Sequence, residues 1–198
     1  MVFAAAAVLV SAGGGRATAE PKSPFPTTTS ADAGFARDMA THHQQAVEMS
    51  FIVRDRTSDE EVRRFAYDIA NTQSNQRGMM LGWLDLWGLA TYDASRPPMA
   101  WMGMSMKPGA DGALMPGMAT NTDLNRLRGL SGKDAEVLYL QLMTAHHQGG
   151  IHMARGCVER CTVGAEKRLA QGMVDAQQSE IGAMAQMLRK RGASPLSN

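Results

Sequence analysis

Two stretches of the chain carry residues that could do chemistry: "MATHHQQAVEM", from Met39 to Met49, and "MTAHHQGGIHM", from Met143 to Met153. They hold all five histidines, and methionine bounds each stretch at both ends. Imidazole and thioether together form the ligand set that suits a soft cation such as Cu(I). A thioether has no proton to lose, so it still binds where a thiol would be protonated or oxidised. From the residues alone, three uses stay open: a structural layer hydrogen-bonded to amides, a metal site, or proton chemistry on a substrate.

Helices must position these side chains. Shifted by 104 residues, the two halves align without a gap: Met39 falls on Met143, His42 on His146, His43 on His147 and Met49 on Met153. Downstream, Gln73 meets Gln177, Gln76 meets Glu180, Met80 meets Met184 and Gly88 meets Gly192. Apolar residues recur at three and four, the helical period. The pattern predicts helices over 31–55, 58–87, 133–159 and 163–191, with a short one near 121–128. Ser58 with Glu61 fits a capping box opening the second helix, and Gly88 and Gly192 suit left-handed helix ends. Hairpins with apolar stripes bury them against each other. That predicts an all-α, ferritin-like four-helix bundle: hairpin one about 31–88, a Met-rich crossover linker over 89–131 and hairpin two about 132–192.

At about 100° per residue, both histidines of each pair fall on the buried stripe. Gln73, Gln76, Gln177 and Glu180 fall on inward stripes of the partner helices, while Glu48 and its counterpart His152 point outward. Glu180 alone is too few carboxylates for a di-iron centre, which uses four.

The linker adds sulfur: Met99, Met102, Met104 and Met106 in "MAWMGMSM", then Met115 and Met118 in "MPGM". The chain has sixteen methionines, against roughly four or five at an ordinary usage of about 2%. Alternating methionines on a flexible arm can close around Cu(I); the alternative is gap-filling over the helices, which is the reading for Met173 and Met187. Cys157 and Cys161 close the third long helix. In an exported chain a disulfide is the default, with thiolate ligation as the alternative.

Export is the expectation. An apolar run from Val2 to Ala12 is too short to span a bilayer, and Ala17-Thr18-Ala19 reads as a cleavage site, so residues 1–19 are read as a signal peptide. The mature chain would start near Glu20 as a secreted or cell-envelope protein, without membrane insertion. Lys plus Arg (20) nearly equals Asp plus Glu (19), leaving no basic footprint for nucleic acid or anionic lipid. A ferritin-like oxidase, a histidine-dependent hydrolase and a purely structural or interaction bundle are the alternatives to metal binding. Apart from Glu180, no nucleophile or carboxylate pair is spaced to serve the enzymes.

The doubled Met-x-x-His-His with a distal methionine, then Gln-x-x-Gln/Glu-x-x-x-Met on the next helix, resembles the bacterial domain-of-unknown-function family numbered 305. The second copy, "LSGKDAEVLYLQLMTAHHQGGIHMA", is the closer match, and the resemblance covers nearly all of the mature chain. It implies a ferritin-like four-helix bundle without an assigned enzyme activity for most members. Relatives of the CopM type imply copper binding in the cell envelope. Carried over, the implied ligands are His42, His43, Met49 and Met80, with His146, His147, Met153 and Met184. Glu180 stands where its duplicate has Gln76, so the two sites are expected to differ. Met102, Met104 and Met106 are the linker candidates, and copper, as Cu(I), is the expected ion.

Overall fold

The computed structural model describes residues 24–104, 109 and 111–196. The segment read as a signal peptide and Met106 lie outside the described residues. Among the described residues five α-helices form: α1 Ala31–Arg54, α2 Glu60–Leu86, α3 Asn121–Gly129, α4 Gly132–Arg160 and α5 Gly164–Lys190. A short 3-10 turn spans Ala100–Met102, and no strand occurs among the described residues.

Local chemistry sets the boundaries. The Ser30 hydroxyl accepts the Ala33 N–H to open α1. The second helix opens on Asp59, whose carboxylate accepts the Val62 N–H at 2.9 Å. Ser58 was expected there. It is displaced because the Thr57 hydroxyl holds the Asp59 N–H and turns that carboxylate onto the helix end. Gly88 and Gly192 adopt φ of +67° and +69°. After each, the next N–H reaches back five residues, Leu89 to Leu84 and Ala193 to Leu188. Both hairpins thus end in the same six-to-one closure that glycine makes cheap.

Helix α1 packs on α2, α4 packs on α5, and the two hairpins meet along α1 and α4. Met39 shares one apolar cluster with Met153, whereas Met49 shares the other with Met143. The shared helices therefore run antiparallel, and the duplication becomes an approximate two-fold axis across the molecule. His42, His43, His146 and His147 lie at that axis, all fully buried. They divide the core into two apolar halves.

The linker is fastened to the helices. Asp38 on α1 accepts the Met99 N–H at 2.8 Å and the Trp101 indole N–H at 2.9 Å. Gln45 grips the Ala119 backbone twice, at 2.7 and 2.9 Å. Gly149, the duplicate of Gln45, clears space instead: a Cβ there would stand 2.0 Å from the Pro116 carbonyl oxygen. One copy of this position holds the linker and the other admits it. Met99 and Met115 sit in the core and Met102, Met104 and Met118 pack against it. This corrects the expectation of a flexible arm for the described part: the backbone clamps give these sulfurs a fixed seat.

Gly149→Ala is expected to destabilise the chain by about 1–3 kcal/mol, the usual range for overpacking. Thermal melting checks it against Gly172→Ala, where nothing lies within 4 Å. Equal midpoints would mean that Pro116 does not press on α4.

Candidate metal centre

The histidine layer is built from α1 and α4 and is supported from α2 and α5. His42 stacks on His146, ring centroids 3.7 Å apart and planes 29° apart. His146 donates its Nε2–H to the His42 carbonyl at 3.0 Å. His147 Nε2 lies 2.6 Å from Glu180 Oε2, and His43 Nε2 lies 2.8 Å from Gln76 Oε1. A carbonyl and a carboxylate can only accept, so they fix the Nε2–H tautomer at His146 and His147. The Gln76 oxygen does the same at His43.

That arrangement leaves Nδ1 bare. All four Nδ1 atoms are buried without a hydrogen-bond partner, and His42 Nε2 is unpartnered too. The Pro116 carbonyl favours the charged His42 ring slightly without making a well-formed hydrogen bond. Burial, helped by neighbouring imidazoles, holds His42 down to about 3. Burial also holds His43 to about 4, against the bond to Gln76, and His146 well below the ordinary imidazole range. These rings are neutral at pH 7 and present lone pairs to a dry interior. An unmatched buried acceptor costs about 1–3 kcal/mol, so the layer holds coordinating capacity that no protein donor uses.

Nitrogen alone does not complete a site. Among the described residues, the one group of three His, Cys, Asp or Glu ligand atoms within 4.8 Å of one another is Cys157, Cys161 and Glu166. An ion in the histidine layer would draw its remaining donors from thioethers. Met39, Met80 and Met153 lie in the apolar half that also takes in the linker's Met99 and Met115. Met143, Met49 and Met184 lie in the other. The implied sets grouped Met49 with Met80 and Met153 with Met184; the fold separates both pairs, because the antiparallel crossing of α1 and α4 exchanges the distal methionines.

Glu180 and Gln76 are half-buried at the edge of the layer, while Gln73 and Gln177 are buried with bare Oε1 atoms. Gly150 is what admits Gln177, whose Oε1 would lie 2.5 Å from an added Cβ. His152 is exposed, as its wheel position required, and Glu48 pairs with Arg128 at the surface. Of the linker sulfurs, Met115 and Met118 flank the Pro116–Gly117 crossing beside His42 and α4. Met102 instead packs on Gly156, next to Cys157. The "MPGM" spelling was the available signal for the first pair; nothing in the sequence ranked it above "MAWMGMSM". Cys157 and Cys161 form a disulfide with Cα atoms 4.8 Å apart.

Comparison with known proteins places these features in a family. Residues 32–188 match the model described as Domain of unknown function (DUF305). A DUF305 protein from Streptomyces coelicolor, provisionally named a secreted protein, is 64% identical with a TM-score of 0.81, over 87% of this chain and 100% of that one. A DUF305 fragment from Deinococcus radiodurans is 28% identical with a TM-score of 0.68, over 84% of this chain and 99% of that one. CopM in its Cu(II)-bound form shares the fold at 23% identity and a TM-score of 0.61, over 80% of this chain and 96% of that one. CopM structures with Cu(I) and with silver also match. No curated protein matches the chain. With the family model spanning α1 to α5, this chain belongs to the DUF305 family.

Proposed function

We propose that this is an exported metal-binding protein that sequesters or hands on copper, as Cu(I), through imidazole–thioether sites at the two ends of the histidine layer. The observation that carries the reading is the set of four buried, unpartnered Nδ1 atoms, with three partner Nε2 atoms anchored to oxygen. Outer-sphere anchoring of that kind orients a metal-binding imidazole and raises its donor strength. One end would use His43 with Met39, Met80 and Met153, the other His147 with Met143, Met49 and Met184. His42 and His146 lie between them. The copper is cargo, and the packing is read as a ferritin-like four-helix bundle with the linker as its crossover. The Cu(I) and silver forms of CopM support the choice of a soft ion. Export is supported by the signal-like first residues and by the provisional name of the Streptomyces coelicolor protein. No helix among the described residues is long and apolar enough to cross a membrane.

The test is a Cu(I) titration against a competing chromogenic chelator, comparing the wild-type chain with His43→Ala/His147→Ala, which removes the imidazole of each site. Loss of tight binding in the double variant is expected. Unchanged stoichiometry and affinity would remove the layer from copper binding. The hydrogen bonds to Gln76, Glu180 and the His42 carbonyl favour a second reading, a polar layer that only fixes helix register. Indifference of the melting temperature to every soft cation would select it. An oxidase or hydrolase would need a substrate-sized cavity at the histidines. A cleft of about 500 Å³ instead opens beside Arg37, Asp38, Tyr92 and Trp101, and none of the four histidines lines it.

A further inference from the structure

At the far end of α4 is a cluster that the histidine sites do not use. Cys157 lies in the last turns of the helix, Cys161 caps it, and Glu166 stands in the first turn of α5. All three are buried, Glu166 completely, and their ligand atoms lie within 4.8 Å of one another.

Glu166 has no local job. A glutamate three residues past the N-cap ordinarily reaches back to the cap N–H. Here the cap is Val163, and its N–H goes to Asp32 Oδ1 at 2.7 Å, as does that of Thr162 at 2.7 Å. A carboxylate from the first turn of α1, more than a hundred residues away, has taken over the capping. As a carboxylate, Glu166 has no donor at either oxygen. Burial first, then the neighbouring Asp32, pushes it up to about 9, and once protonated it can donate to Asp32. Glu166 is thus a buried acid beside two sulfurs, without a capping role, and a positive charge placed between them would favour its ionised form.

We propose that the reduced chain holds a thiophilic divalent cation between the Cys157 and Cys161 thiolates and the Glu166 carboxylate, and that the disulfide is the closed state of this site. Cysteines four apart share a helix face. Sulfurs on one tetrahedral zinc-like ion at about 2.3 Å stand about 3.8 Å apart, within reach of Cα atoms 4.8 Å apart. Opening needs a dithiol reductant. The reductant is oxidised to its own disulfide, and its two electrons and two protons convert Cys157–Cys161 to two thiols. The cation then displaces both thiol protons and the Glu166 proton to solvent, so three ligand charges meet two metal charges. Thiol-rich binding of this kind couples to pH because the ligands must be deprotonated.

The experiment uses the full chain, oxidised or reduced with dithiothreitol that is then removed without air, titrated with Co²⁺. Reduction should add one equivalent of Co²⁺ with a thiolate-to-cobalt charge-transfer band. Cys157→Ser should lose that band. Glu166→Gln, which keeps the shape of the side chain, should keep the band but weaken binding by roughly tenfold or more, at least what outer-sphere changes cost. Helical circular dichroism of the reduced chain is read in parallel. Three results would overturn the proposal: no added equivalent while the helices persist, loss of helix on reduction, or unaltered affinity in Glu166→Gln. Cu(I) binding by the oxidised chain is read separately and stands or falls with the histidine layer.

Discussion

Stability of the metal-free chain is expected to peak near pH 6.5 and to fall by roughly 3 kcal/mol per pH unit on the acid side, to about pH 4.5. The reason is proton linkage at the buried layer. His42, His43 and His146 are held below their unfolded value of 6.5, so the folded state keeps them neutral while the unfolded state protonates them. A depressed folded value means that stability is complete above 6.5 and is lost as the pH falls toward about 4. Each such group contributes about 1.4 kcal/mol per pH unit. Glu166 acts in the opposite sense. Its folded value near 9 lies above the unfolded 4.5, so it binds a proton that the unfolded chain releases between those limits. Three protons gained and one lost on unfolding leave a net uptake of two, hence the acid slope. From 6.5 to about 9 only Glu166 contributes, and stability should decline by about 1.4 kcal/mol per unit. Chemical denaturation across pH 4.5 to 9 measures both limbs. Glu166→Gln should flatten the alkaline limb and steepen the acid one. An acid limb no steeper than one proton would mean that the layer admits water or charge.

Much of the layer was legible because burial on a helix follows a period. Both histidine pairs fell on the inward stripe by arithmetic, and glycine at positions 88 and 192 announced the left-handed ends that the fold adopts. The helix limits agreed to within two residues. What sequence could not supply was partnership across distance. The duplication makes the contents of each hairpin plain, but not that α1 and α4 cross antiparallel and trade their distal methionines. Nor could it reveal that Gln45 and Gly149 diverged to seat the linker, since their shared position reads as ordinary helix in both copies. The Asp32–Glu166 relation was equally hidden. Glu166 looks like a routine first-turn acid until Asp32, on a different helix, is found holding the backbone that Glu166 would otherwise cap.

The exchange of methionines separates two accounts of copper binding. Changing Met49 and Met184 together to leucine is expected to remove one of two tightly held Cu(I) equivalents, since both sulfurs belong to the same apolar half. Met80→Leu with Met153→Leu should remove the other. Leucine conserves volume, so each substitution should cost less than about 1.5 kcal/mol of stability. Met49→Leu with Met80→Leu, which strips one hairpin, should instead leave both equivalents and weaken each by roughly tenfold, because each end keeps an imidazole and two thioethers. Competition with a Cu(I) chelator reads all three variants. If the single-hairpin variant lost one whole equivalent and left the other untouched, each site would be confined to its own repeat, and the two-fold crossing would have no part in binding. The surviving equivalents also report on a polar asymmetry between the two ends of the layer. His147 is anchored by a carboxylate and His43 by an amide. The charged acceptor makes imidazole the stronger donor, so the end lost with Met49 and Met184 should be the tighter one. Glu180→Gln should bring the two ends to nearly equal affinity.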